Sequence, residues 1–252
     1  MNRIALITGA TSGIGRATAI TLSENKFDVI ITGRRKELLE DLEKEIKEKS
    51  SNKIHILNFD VRNKEEVDKA IESLPQGWKD IDVLVNNAGL AVGLNHINEG
   101  VIDDWERMID TNIKGLLYMS RKVLPIMTEK KQGHIINIGS TAGKEAYENG
   151  NVYCGTKHAV DAITKGMRID LLKHKIKVTA VNPGMVETEF SLVRFKGDKE
   201  RAEGAYKGFT PLYGKDIADA ILYVVTRPEH VCINDMIITA TAQANSYYKV
   251  SE

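Results

Sequence analysis

Cysteine is scarce in this chain: Cys154 and Cys232 are the only two, and they lie far apart. No CxxC or Cys/His cluster with metal-ligand spacing occurs, so neither a disulfide framework nor a zinc site is suggested. Cys154 directly follows Tyr153, but a small residue packed near a site explains it better than a nucleophile does. Aromatic residues make up only 6% of the chain, so the core has to be built from Ile, Val, Leu and Ala. Neither sign of charge is in excess, with Lys+Arg and Asp+Glu both numbering 35. That leaves no field to draw in a nucleic acid or an acidic lipid surface. The basic stretch 44–53 is interleaved with glutamates and reads as a solvated helix face. No apolar run approaches the roughly 18 residues of a membrane span, and Met1–Thr8 runs straight into a strand without a signal-peptide pattern. The expectation is a soluble, cytoplasmic protein with no metal, nucleic-acid or membrane partner.

What the chain does have is alternation. Ile4–Ile7, Val29–Thr32, Ile54–Leu57, Val83–Val85, Ile135–Ile138 and Val178–Val181 are short, β-branched apolar runs, as parallel strands covered on both faces should be. Ile237–Thr239 reads as a last strand. Between them lie amphipathic stretches that read as helices: Ile14–Glu24, Lys36–Glu48, Lys64–Ser73, Asp103–Met127, Val152–His174 and Lys215–Val225. This order predicts right-handed βαβ units and a Rossmann-like α/β fold, a doubly wound and mostly parallel sheet with helices on both faces. No linker or internal repeat divides the 252 residues, which suit one domain. Residues 185–214 break the pattern with charged and glycine-containing sequence after the sixth strand, where open α/β sheets bind ligands. They read as a mobile lid over a substrate. Asp103 and Asp104 read as the N-terminal cap of the long fourth helix.

The first strand runs into Thr8-Gly9-Ala10-Thr11-Ser12-Gly13-Ile14-Gly15 and then a helix. Glycines let such a loop approach a pyrophosphate closely, and the free amides of the new helix favour the anion. The loop lacks the Gly-Lys-Ser/Thr of a P-loop, which argues against nucleoside triphosphate hydrolysis. NAD-binding chains place an acid after the second strand, at the ribose hydroxyls. Here the residues are Thr32-Gly33-Arg34-Arg35, and two guanidinium forks suit a 2′-phosphate. The loop and these arginines therefore favour NADP over NAD.

Tyr153 and Lys157 stand one helical turn apart on one face, with Ser140 upstream. A free phenol ionises near pH ~10, and a neighbouring ammonium lowers that value. A hydroxyl beside them can hold a substrate oxygen. Together they describe a device for moving one proton on or off a carbinol oxygen.

Taken with Asn86-Asn87-Ala88-Gly89, Asn112 and Asn182-Pro183-Gly184, these residues resemble the short-chain dehydrogenase/reductase family over most of the chain. The resemblance implies a seven-stranded sheet and a homotetramer or homodimer. It implies that Ser140 polarises the substrate oxygen, Tyr153 is the general acid/base, Lys157 contacts the nicotinamide ribose, and Asn112 supports a water-mediated relay to Lys157. Asn87 and Gly89 line the cofactor, Asp60 and Val61 meet the adenine, and the segment from Pro183 to Ser191, with Gly184 and Val186, meets the nicotinamide half, Thr188 reaching its carboxamide or phosphate. Ser12 stands where many NADP-using relatives carry a basic residue, so selectivity rests on Arg34 and Arg35.

A narrower likeness, carried by residues 133–143, 150–153 and 188–198, is to the NADP-dependent serine/3-hydroxy acid dehydrogenases, which are tetrameric. It implies a short 3-hydroxy acid substrate such as serine, allo-threonine or 3-hydroxyisobutyrate. Such a substrate needs its carboxylate held, and Arg194 is the candidate clamp; a surface or interlobe ion pair is the competing reading. Two other functions stay open. One is reduction of neutral ketones on the same fold. The other is a non-catalytic NADP-binding protein, whose mark is loss of Tyr153, Lys157 or Ser140.

Overall fold

A computed structural model describes residues 2–251. Seven strands form one sheet: β1 (Arg3–Ile7), β2 (Phe27–Gly33), β3 (Ile54–Asn58), β4 (Ile81–Asn86), β5 (Gly133–Ile138), β6 (Ile176–Pro183) and β9 (Asp235–Ile238). Their order is β3-β2-β1-β4-β5-β6-β9, and every neighbouring pair is parallel. The order reverses direction at β1 and β4, so a crevice opens beyond their carboxyl ends.

Alternation along each strand feeds two cores. Ala5, Ile7, Val29, Ile31, Val83, Val85 and Ile136 face one side. They pack with residues of α1 (Gly13–Glu24), α2 (Lys36–Lys49) and α9 (Gly214–Val225). Ile4, Leu6, Ile30, Leu84, Ile135 and Val178 face the other side, with α3 (Lys64–Glu72) and α5 (Leu116–Lys130). Both faces are covered, which explains why the strands read as continuous apolar runs.

Four sequence expectations need correction. The stretch expected to be one helix from Asp103 is α4 (Ile102–Ile109), a π-helical turn over Asp110–Gly115, and then α5. Asp103 and Asp104 do not cap α4. Its N-cap is Val101, and the two acids lie in the first turn. Asp104 is buried and pairs instead with Lys196 at 2.7 Å. The last strand starts two residues earlier than expected and ends one earlier. The helix expected to end at His174 is α6 (Asn151–Asp170), followed by a separate 3₁₀ turn over Leu172–His174.

Residues 185–214 are ordered into small elements: β7 (Val186–Glu187), α7 (Glu189–Arg194), α8 (Lys199–Gly204) and β8 (Leu212–Tyr213). β7 and β8 form a two-stranded parallel ladder. The C-terminal residues strap this segment from beneath. Lys249 Nζ donates to the Ala205 carbonyl at 2.7 Å and lies over the Phe209 ring.

One buried polar contact makes the sheet sensitive to acid. His134 Nε2 lies 2.8 Å from Thr179 Oγ1. Thr179 spends its own proton on the Ile233 carbonyl, so Nε2 carries a proton and donates it to the Thr179 hydroxyl oxygen. Burial, with the charges of Lys177 and Arg3, lowers the His134 pKa to about 3. The unfolded chain therefore binds this proton near pH 6.5 and the folded one does not, so stability falls as pH drops from 6.5 toward 3. His134→Gln, which keeps a donor for Thr179, should remove this contribution. Urea unfolding at pH 7 and pH 5 should show the variant losing about 2 kcal/mol less than the parent protein over that interval.

Candidate active site

The crevice at the switch point is a cleft of about 400 Å³. Its floor at one end is the loop between β1 and α1. Gly9 has φ +66, and a Cβ there would lie 2.9 Å from Ala88 Cα. Only glycine lets β1 turn this tightly against β4. Asn87 secures the same junction by donating from Nδ2 to the carbonyls of Thr8 and Gly9 at 2.9 and 3.1 Å. Ser12 is the N-cap of α1 in extended conformation and makes no side-chain cap. The first amides of α1 are thus left for an anion.

Of the expected cofactor residues, Gly9, Thr11, Ser12, Gly13, Ile14, Arg34, Arg35, Asp60, Val61, Asn87, Gly89, Pro183, Gly184, Val186 and Thr188 line this one cleft, together with Ser140, Tyr153 and Lys157. Three expected site residues stand behind its wall. Gly15 packs under the loop, where a Cβ would lie 2.9 Å from the Gly9 carbonyl carbon. Asn112, carried on the π turn, accepts from the Leu90 amide and donates to the Leu90 carbonyl, both at 2.8 Å, and donates to Thr156 Oγ1 at 3.0 Å. Arg194 lies beyond Tyr153. Glu189 and Phe190, within the expected 183–191 segment, line the cleft too, whereas sequence reasoning missed Phe59, Leu90, Arg107, Thr111 and Val193. It also missed Tyr147, a lone aromatic in a polar loop six residues before Tyr153.

Carboxylates already hold the two arginines. Arg34 lies 3.7 Å from Asp60. Arg35 pairs with Glu189 at 2.9 Å and donates to Thr11 Oγ1 and Ser12 Oγ at 2.9 and 3.2 Å. Burial pushes the Asp60 carboxyl up, but hydrogen bonds from Arg62 and the charges of Arg62 and Arg34 outweigh it and leave it below the usual range. Both guanidinium groups are about half exposed at the rim of the cleft, within reach of a phosphate. Thr188 caps α7 through its hydroxyl, at 3.2 Å from the Phe190 amide, and its methyl abuts Gly13.

At the other end, Tyr153 and Lys157 are both buried on α6. Lys157 Nζ donates to the Ile138 carbonyl at 2.9 Å, and burial lowers its pKa to about 8. The Tyr153 pKa is raised, chiefly by burial. The cation that opposes this is Arg194, aided by the Ser140 hydroxyl. Lys157, the cation expected from spacing, directs its ammonium at the Ile138 carbonyl and is itself poorly solvated. Arg194 Cζ lies 4.8 Å over the Tyr153 ring and 5.1 Å over Phe190. The Tyr153 and Phe190 rings meet at 5.7 Å. Arg194 makes no ion pair among the described residues: no carboxylate lies within 4.0 Å, and its buried Nε has no partner. The expected alternative of a surface or interlobe ion pair is therefore not what is found.

A long groove with an anion-binding helix start at one end and a buried phenol, hydroxyl and ammonium at the other suits an oxidoreductase that works with a dinucleotide. Residues 3–198 match the family described as short chain dehydrogenase, and the chain belongs to it. It is 48% identical over 242 residues to the NADP-dependent 3-hydroxy acid dehydrogenase YdfG of Salmonella typhi, spanning 96% of each chain. It is 42% identical over 250 residues to the serine 3-dehydrogenase of Rhizobium radiobacter, spanning 99% of this chain and 98% of that one. Among solved structures, the closed form of a serine dehydrogenase complexed with NADP+ superposes with a TM-score of 0.93 at 44% identity, over 99% of both chains.

The buried ammonium carries a measurable cost. The folded pKa of Lys157, about 8, lies below its ordinary value of 10.5. The unfolded chain therefore holds this proton over a range where the folded chain has lost it, and stability rises as pH goes from 8 to 10.5. Lys157→Met removes the buried charge and leaves the Ile138 carbonyl without that donor. Chemical unfolding of coenzyme-free protein should find the variant more stable by roughly 2 kcal/mol at pH 7, with the gap shrinking by pH 10.

Proposed function

We propose that this protein is an NADP-dependent oxidoreductase that moves hydride between the coenzyme and the carbinol carbon of a short 3-hydroxy acid. Serine, allo-threonine and 3-hydroxyisobutyrate are the substrates in view, with the 3-oxo acid in the reverse direction. The observation that carries the substrate class is Arg194, a guanidinium with no carboxylate partner among the described residues, laid over the ring of Tyr153. In a 3-hydroxy acid one carbon separates the carboxylate from the carbinol carbon, so a substrate whose hydroxyl is held at Tyr153 and Ser140 would carry its carboxylate toward the side of Tyr153 on which Arg194 lies. The names carried by the Salmonella and Rhizobium relatives support the same class.

The residues present fit the coenzyme. The loop from Gly9 to Gly13 and the start of α1 would take the pyrophosphate, Arg34 and Arg35 the 2′-phosphate, and Asp60 and Val61 the adenine side. Asn87, Gly89, Pro183, Gly184, Val186 and Thr188 would enclose the nicotinamide half. NADP, when bound, supplies the two-electron acceptor or donor.

The chain's own part is proton handling and position. Ser140 holds the substrate oxygen. Tyr153 Oη takes the hydroxyl proton during oxidation and returns it during reduction. Lys157 would hold the nicotinamide ribose of the coenzyme and stand on the route by which the proton leaves. Asn112 braces Leu90 and the helix that carries Tyr153, and supports a water-mediated relay to Lys157. Residues 185–214 act as the lid over a one-domain catalytic body. The lid carries Arg194 in α7, whose guanidinium over the Tyr153 ring opposes the rise that burial causes in the phenol pKa.

A second reading, reduction of neutral ketones, is favoured by the apolar lining from Leu90, Phe190 and Val193. Exposed Leu117 on α5, exposed Ile169 at the end of α6 and exposed Leu172 in the 3₁₀ turn after it support a homotetramer. The two free thiols, Cys154 and Cys232, suit the reducing cytoplasm.

Tyr153→Phe should abolish turnover while NADPH binding, followed by nucleotide fluorescence, persists. Substantial residual turnover would count against the acid/base assignment. Arg194→Ala should raise KM for 3-hydroxypropanoate by on the order of tenfold or more, as loss of a charge-assisted bidentate pair implies. KM for its neutral methyl ester should move far less. Equal effects on acid and ester would leave the neutral-ketone reading in place.

A further inference from the structure

Tyr147 lies in the loop between the 3₁₀ turn Thr141–Gly143 and α6, and no role has been assigned to it so far. Its hydroxyl accepts a hydrogen bond from Arg194 Nη2 at 2.7 Å, and its ring centroid is 5.8 Å from Arg194 Cζ. With Tyr153 and Phe190 it completes a three-sided aromatic box around one guanidinium. Burial pushes the Tyr147 phenol well above its ordinary pKa, so it stays a neutral partner and does not compete for the cation as a carboxylate does.

The ring is set in place by the chain around it. A Cβ on Gly150 would come within 2.6 Å of Tyr147 Cζ, so only glycine at 150 admits the ring against the start of α6. The Gly150 amide donates to the Tyr147 carbonyl at 3.0 Å. Arg194 is held from its other end as well: its carbonyl accepts from the Gly93 amide at 3.0 Å. The backbone and one terminal nitrogen of Arg194 are thus both anchored, while Nε is buried without a partner.

Stacking on aromatic faces confines a guanidinium to a plane but leaves it free to turn within that plane. A carboxylate is recognised along one edge of the fork, so that rotation matters. We infer that Tyr147 is a positioning residue that fixes the in-plane orientation of Arg194 and so sets the preference for substrates bearing a carboxylate. The inference rests on the reading of Arg194 as the carboxylate clamp. Tyr147 acts only through Arg194; the chemical class it selects is a short hydroxy or oxo acid over an uncharged alcohol or ketone of the same shape.

The test compares 3-hydroxypropanoate with its methyl ester in the parent enzyme, Tyr147→Phe, Arg194→Ala and the double variant, with NADPH binding by fluorescence as the check on folding. Tyr147→Phe keeps the ring and removes the hydroxyl. The ratio of kcat/KM for acid over ester should fall about tenfold, mainly through KM for the acid. The double variant should be no worse than Arg194→Ala alone, because the hydroxyl has nothing left to orient. If Arg194→Ala loses acid preference but Tyr147→Phe keeps it, or if the two losses add in full, the positioning role is overturned and the clamp stands. If Arg194→Ala affects acid and ester alike, the clamp fails and the inference fails with it. Should Tyr147→Phe lose NADPH binding, Tyr147 is a structural residue and the inference is overturned.

Discussion

A phenol asked to carry negative charge sits where burial opposes charge, and the site is organised around that conflict. Tyr153 is enclosed between α6, Phe190 and the Leu90 loop, and enclosure alone holds its proton on. Lys157, the obvious counter-charge by spacing, is itself buried and is turned to a backbone carbonyl. A second cation, Arg194, reaches the phenol ring from a different part of the chain, in the small helix α7. The proton chemistry proposed for this protein therefore depends on where the 185–214 segment lies as well as on the rigid sheet.

The same segment reaches toward the opposite end of the groove. Glu189, the first residue of α7, holds Arg35, and Arg35 in turn holds Thr11 and Ser12 of the glycine loop. Arg194, the last residue of α7, lies over the phenol. One six-residue helix thus touches both the phosphate-facing rim and the acid/base pocket. Loop residues placed by a rigid α/β scaffold commonly carry function in this way.

The strands were legible because each is a short β-branched run buried on both faces, and the resemblance carried the order of the catalytic residues. Spacing placed Tyr153 and Lys157 on one helical face, and the glycine loop fell at the end of β1 as its composition implied. What stayed hidden depends on packing at a distance. The π turn at Asp110–Gly115 leaves no mark in apolar periodicity, because one extra residue in a turn merely shifts the phase. The two-residue strands β7 and β8 are too short to show alternation. Lys157 directed at Ile138, Arg194 over the Tyr153 ring, and Tyr147 as its partner all need three dimensions, although a single tyrosine amid Lys144, Glu145, Glu148 and Asn149 was a visible oddity. Asp104 looked like a cap and proved to be a buried counter-ion, since Lys196 approaches from a segment ninety residues away.

The extra residue of the π turn ties local geometry to the whole body of the protein. In a regular helix each residue advances the side chains by about 100°. Shortening 110–115 by one residue would rotate everything downstream by that angle. Met119, Val123 and Met127 of α5, now packed against the sheet, would swing toward solvent as Asn112 left the Leu90 peptide. Site and core are therefore locked in one helical phase, and the chain cannot shed this irregularity and keep either.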